Sequence, residues 1–111
     1  INNGEITRHI FDPSELGLER VGIEELRGGT PSENAEIARA IFAGKGGPYR
    51  QSVLLNAAAA IAAFKADFHL GLTQQLANGY TLAKQAVDSG AAAQLVERWA
   101  NLSTELAKSS L

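Results

Sequence analysis

The chain has 111 residues, with 10 Lys or Arg against 12 Asp or Glu, and neither cysteine nor methionine. That length is one domain or part of one, and the scattered, balanced charge gives no basic footprint for nucleic acid. The missing cysteines exclude a disulfide framework, a thiolate metal site and a thiol nucleophile, and fit a cytoplasmic location.

Asn3-Gly4 is a turn signal, and the β-branched and aromatic run Glu5-Ile6-Thr7-Arg8-His9-Ile10-Phe11 after it predicts a strand over residues 5–11, closed by Pro13. A single strand has no ladder partner, so its mate, the first arm of a hairpin, is expected upstream of Ile1. Asp12 to Gly17 reads as a loop with one helical turn, and Ile23-Glu24-Glu25-Leu26 as another short turn before Gly28-Gly29.

A helix is expected over about 31–43. Thr30 is a good N-cap, Pro31 suits the first helical position, and Glu33 completes a Thr-x-x-Glu capping box. Ile37, Ala38, Ile41 and Phe42 form its apolar stripe, and Gly44 sits where a left-handed cap belongs. A second helix, about 48–64, has Asn56 as the one polar residue between Val53 and Phe64, so it reads as buried on all sides. Asn56 is then a buried amide that must find partners, and the loop leading into the Thr30 helix is the expected one.

A third helix is expected over about 72–89, with Leu76, Tyr80, Ala83 and Val87 on one face and Gly90 at its end. Gly79 inside it is unfavourable by roughly 1 kcal/mol against Ala, which points to a close packing contact. A last helix, about 91–108, carries the one-sided stripe Leu95, Trp99, Leu102 and Leu106, with Trp99 as a core or interface anchor. The tail Ser109-Ser110-Leu111 is expected to fray. Much of the 45% apolar content is alanine, which buries little area, so the core is thin and some apolar surface is expected to pack against something outside these residues.

No constellation assembles chemistry. His9 and His69 lack carboxylate or histidine neighbours at ligand spacing. Gly28-Gly29 precedes a helix, as a phosphate cradle would, but Thr30 is placed to satisfy the first helical N–H groups and Glu33 to repel an anion. Gly44-x-Gly46-Gly47 joins two helices rather than following a strand. Adjacent Glu24 and Glu25 point about 100° apart on a helical turn and read as solvated. No apolar run reaches the roughly 18 residues of a membrane helix, and Asn2, Asn3, Glu5 and Arg8 leave no signal-peptide core.

Several segments in one order resemble the C-terminal third of the anthranilate phosphoribosyltransferase family. They are Asn3-Gly4-Glu5-Ile6 with Phe11 to Leu18, Leu26-Arg27-Gly28-Gly29 with Ser32-Glu33-Asn34, Pro48 to Ala60, and Ala86-Val87-Asp88-Ser89-Gly90-Ala91. Gln51, where an acid is common, and a longer Phe64–Thr73 linker depart from that pattern. The resemblance implies a fold that is mostly α with one or two N-terminal strands, the C-terminal part of the larger α/β domain of a nucleoside-phosphorylase/phosphoribosyltransferase-type fold.

It further implies transfer of phosphoribose from phosphoribosyl pyrophosphate to anthranilate in tryptophan biosynthesis, with Mg²⁺ carrying the pyrophosphate charge. The parent enzyme would be a homodimer. The family's phosphate loop, anthranilate-contacting residues and Asp-Glu metal pair all fall before the matched region. No catalytic, substrate-binding or metal residue therefore transfers to this chain, which alone is expected to be inactive; Thr30, Glu33, Asn56 and Trp99 are assigned structural roles. The N-terminal remainder of the enzyme is the expected partner, with no nucleic acid or membrane. The first residue, Ile1, without any Met, is read as the edge of a piece of a longer polypeptide, although a chain with its leader cut off predicts the same composition. Two other readings are a stand-alone helical interaction module and part of a related nucleoside phosphorylase.

Overall fold

The computed structural model describes residues 4–109, so Ile1 to Asn3 and Ser110-Leu111, with the expectations that fall on them, lie outside it. The described chain is mostly helical. Two short 3₁₀ turns, Pro13–Leu16 and Ile23–Leu26, lead into α1 (Pro31–Phe42), α2 (Pro48–Lys65), α3 (Leu72–Asp88) and α4 (Ala91–Ser109).

The strand expected over 5–11 is not formed among the described residues. Glu5 sits in an isolated bridge and residues 6–12 have no regular element, with Ile6 69% and Ile10 101% exposed. A strand is stabilised through its ladder, and these residues pack against no sheet. The following turn is better fixed. The Asp12 carboxylate accepts from Ser14 N–H, Glu15 Oε1 accepts from Asp12 N–H, and Arg20 pairs with Asp12. Thr73 Oγ1 donates to Glu15 Oε2 at 2.8 Å, tying this turn to the start of α3.

The core is the antiparallel pair α2 and α3, the most extensive packing in the chain. Along α2 the buried positions recur every fourth residue, at Arg50, Leu54, Ala58 and Ala62; on α3 they are Leu76, Gly79, Ala83 and Val87. Leu54, Ala83 and Val87 form one cluster, capped by Phe42, Ala57, Ile61, Tyr80 and Ala92. Halfway along, the backbones nearly touch: a Cβ on Gly79 would lie 2.4 Å from the Ala58 carbonyl oxygen. Alanine at Ala58 and glycine at Gly79 are what allow that approach.

At the end of the pair, Arg50 in the first turn of α2 donates to Asp88, the last residue of α3, and Lys84 reaches the same carboxylate at 2.9 Å. Each charge sits at the unfavourable end of its own helix. Antiparallel packing puts Arg50 beside the negative end of α3 and Asp88 beside the positive end of α2, so each is matched by its neighbour. Burying Leu54 or Val87 contributes about 1.5–3 kcal/mol each, whereas an exposed pair such as Lys84–Asp88 contributes at most about 1 kcal/mol. Packing, not the ion pairs, holds the helices together.

One expectation needs correction: within this chain α2 is not enclosed, with Val53 40% and Phe64 90% exposed, because α3 covers only one side of it. The chain is open, with a radius of gyration of 16.7 Å where about 13 Å is usual for a compact domain of this length. From Gln94 onward α4 is exposed throughout, its first turn alone being half-buried.

Replacing Gly79 with Ala should cost about 2 kcal/mol net, since the clash is with backbone and outweighs the roughly 1 kcal/mol of better helix propensity. A denaturation midpoint that stays put or rises would contradict the close approach. A second expectation concerns pH. Hydrogen bonds from Lys84 and then Arg50 hold the Asp88 carboxyl below its ordinary 3.8, so its stabilisation is present above that value and disappears as the pH falls through the depressed one. Asp88→Asn should melt below wild type at pH 7, and the two melting curves should converge in strong acid.

Candidate functional site

The most highly organised polar feature is the turn Arg27-Gly28-Gly29-Thr30. The Asn34 side-chain amide engages both main-chain groups of Gly29: its Oδ1 accepts from Gly29 N–H at 2.9 Å and its Nδ2 donates to Gly29 O at 3.0 Å. Glu33 Oε2 accepts from Thr30 N–H at 2.7 Å and from Thr30 Oγ1 at 2.8 Å, and Thr30 Oγ1 accepts from Glu33 N–H at 3.3 Å. From the other side Tyr49 Oη donates to Arg27 O at 2.7 Å. A Cβ on Gly29 would lie 2.4 Å from Glu33 Oε2, and one on Gly28 2.8 Å from Asn34 Oδ1, so a side chain at either position would displace the carboxylate or the amide that holds the turn.

The electrostatics argue against a phosphate here. The bonds from Thr30, first its N–H and then its hydroxyl, hold the Glu33 carboxyl below its ordinary 4.5. A carboxylate therefore already occupies the positive end of α1, and an incoming anion would meet it. Beside this turn Tyr49 and Arg50 are consecutive, so the start of α2 grips the glycine turn with one residue and the end of α3 with the next. Arg50 is 8% exposed and its Nη1 has no hydrogen-bond partner. Burial raises the Tyr80 phenol above its ordinary value. Among the described residues no group of three His, Asp or Glu could hold a metal ion. The arrangement positions backbone.

The structure brings Thr30 and Glu33 together as a reciprocal cap. Asn56 is elsewhere: it is exposed, and its Nδ2 donates to Ser52 O within its own helix at 2.9 Å. The expectation of a buried Asn56 pinned to the glycine turn is thus corrected. It faces away from α3, and the amide that pins the turn is Asn34. Trp99 is 71% exposed and contributes to no core in this chain. His9 and His69 are exposed. Glu25 accepts from Gly22 N–H, and Glu24 pairs with Arg27. Asn34 and Tyr49 were missed by sequence reasoning. A glycine pair five residues before an asparagine was the available signal for the first; the second spans 22 residues and left none.

Several open grooves flank these elements. One of about 250 Å³ lies between α1 and α2, lined by Leu26, Asn34, Ile37, Ile41, Tyr49 and Val53. Its walls are largely apolar, as expected of a surface that packs rather than reacts. No helix among the described residues is long and apolar enough to cross a membrane.

Tyr49→Phe removes one hydrogen bond and should cost about 1 kcal/mol; Asn34→Ala should free both main-chain groups of Gly29. Amide exchange at residues 28–30 should quicken in both variants while the centre of α2 is unchanged. Unaltered exchange at the turn would contradict its assignment as a pinned element.

The chain is 49% identical over 109 residues to the anthranilate phosphoribosyltransferase of Rhodococcus jostii, covering 98% of this chain and 30% of that protein. It is 49% identical over 107 residues to the anthranilate phosphoribosyltransferase of Thermomicrobium roseum, covering 96% and 29%. For that of Arthrobacter sp. the identity is 45% over 102 residues, covering 92% and 29%. The chain thus spans about 30% of the length of these curated relatives. Residues 1–93 match the family described as glycosyl transferase family, a/b domain. With that match over most of its length, this chain belongs to the glycosyl transferase family, within its a/b domain.

Proposed function

We propose that this chain is the C-terminal third of an anthranilate phosphoribosyltransferase, an enzyme that moves phosphoribose from phosphoribosyl pyrophosphate to the amine of anthranilate on the way to tryptophan. The observation that carries the reading is the alignment of nearly the whole chain, 98% of it, with a relative of that name at 49% identity. In this reading the segment acts in the cytoplasm as part of a homodimeric parent, and its immediate partner is the remainder of the same polypeptide.

The physics of the segment supports a supporting role. Its polar groups are committed to each other: Glu33 to Thr30, Asn34 to Gly29, Tyr49 to Arg27, Arg50 and Lys84 to Asp88. Among the described residues no three His, Asp or Glu stand together as a metal-ligand set, and Mg²⁺ is commonly held by one or two carboxylates together with a substrate's phosphates. The ion expected to carry the pyrophosphate charge is assigned to residues outside this segment. What this chain supplies is a fixed scaffold. The helix pair braces one face of the larger domain, and the extended stretch 6–12 takes up the strand form its sequence favours once a sheet edge is offered to it.

The test is complementation. The chain is co-expressed with the Rhodococcus jostii enzyme lacking its own matching C-terminal third, and anthranilate consumption is followed by its fluorescence with phosphoribosyl pyrophosphate and Mg²⁺ present. The pair should consume anthranilate and each piece alone should not. An inactive pair, in a system where the Rhodococcus jostii third itself restores activity, would contradict the reading.

A further inference from the structure

Gly79 admits the Ala58 backbone, and it also follows Asn78. In an Asn-Gly pair the side-chain amide is open to attack by the next main-chain nitrogen, because glycine has no Cβ to crowd the approach. The sequence holds two such pairs, Asn3-Gly4 and Asn78-Gly79. The second lies in the middle of α3, with Asn78 on its exposed side and Gly79 buried against α2.

The reaction is an intramolecular displacement followed by hydrolysis. The Gly79 nitrogen bonds to Asn78 Cγ, and Nδ2 leaves as ammonia, taking the proton that the Gly79 nitrogen loses. A five-membered succinimide remains. Water then opens the ring at either carbonyl and gives aspartate or isoaspartate. In isoaspartate the main chain runs through Cβ and Cγ and is one carbon longer.

Ring closure needs the attacking nitrogen to swing into the plane of Asn78 Cβ, Cα and C. A helical ψ of about −42° holds it roughly 80° out of that plane. The Gly79 N–H is also committed inside the helix, where each is bonded to the carbonyl four residues back. Asn78 Oδ1 accepts from Gln74 Nε2 at 2.9 Å, which fixes the amide on the preceding turn. Changing the glycine would not be a neutral escape, since a Cβ there would lie 2.4 Å from the Ala58 carbonyl oxygen.

We propose that Asn78-Gly79 is a latent self-modification site, kept closed by the α2–α3 pair and converted to isoaspartate when α3 opens, after which the pair does not re-form. The extra main-chain carbon moves Gly79 off its place opposite Ala58, the position at which the helices come closest. The site is read without any activity, and so stands or falls separately from the enzymatic assignment.

The experiment is peptide mapping by mass spectrometry of the full 111-residue chain, aged at mildly alkaline pH in native buffer and in guanidinium chloride. In denaturant Asn78 and Asn3 should convert side by side. In native buffer Asn78 should convert at least about tenfold more slowly than in denaturant. Once the denaturant is removed, aged wild type should fail to recover its far-UV circular dichroism in proportion to the isoaspartate formed. Asn78→Gln aged in the same way, with Asn3-Gly4 as its remaining Asn-Gly pair, should recover it. So should fresh Asn78→Asp, which has the new charge without the longer backbone. Conversion of Asn78 as fast in native buffer as in denaturant overturns the proposal, because the fold then does not gate the site. Aged wild type that refolds as well as aged Asn78→Gln overturns it too, since the pair then tolerates the longer backbone. A fresh Asn78→Asp chain that does not fold also overturns it, because charge alone then breaks the pair.

Discussion

The contact between the backbones of Ala58 and Gly79 is the constraint on which the rest of this structure depends. With a Cβ on Gly79 placed 2.4 Å from a carbonyl oxygen, α2 and α3 can lie this close only while that position is glycine. The approach brings Leu54, Ala83 and Val87 into one cluster and sets Arg50 within reach of Asp88. A core built largely from alanine buries little area per residue, and it becomes effective by closeness instead of bulk. Glycine at this point is unfavourable in the helix and favourable in the interface, and the interface gain is the larger.

From that pair the organisation spreads through the first turn of α2. Tyr49 and Arg50 face different neighbours, and together they relate the glycine turn before α1 to the end of α3. The turn itself is held at Arg27, Gly29 and Thr30 by side chains of Tyr49, Asn34 and Glu33. In this transferase-family segment those side chains hold the backbone of the turn.

Sequence legibility followed the range of the interactions. The ends of α1 were readable because Thr30, Pro31 and Glu33 act within one turn, and Gly44 and Lys45 close the other end with bonds to Ile41 and Ala40. Gly79 could be read as a close contact because a mid-helix glycine needs a reason. Its partner Ala58 could not, since many alanines were available. Asn56 was misjudged for the same cause: an apolar helix read without its neighbours looks buried everywhere, whereas only the side facing α3 is covered. Residues 5–11 have strand composition without the strand, because ladder bonds come from another segment and composition does not supply one. Family membership was legible from the order of several short motifs; the Tyr49 to Arg27 bond was not, being a product of the fold alone.

The measurement that tests this account most directly is native-state hydrogen exchange on the chain in dilute solution. Protection should be greatest at the facing positions of α2 and α3, around Leu54 to Ala62 and Leu76 to Val87, and should fall away in the second half of α4 and in residues 6–12. Equal protection along α4 and the α2–α3 pair, or early opening at Ala58 and Gly79, would contradict the claim that their close approach is the centre of the structure.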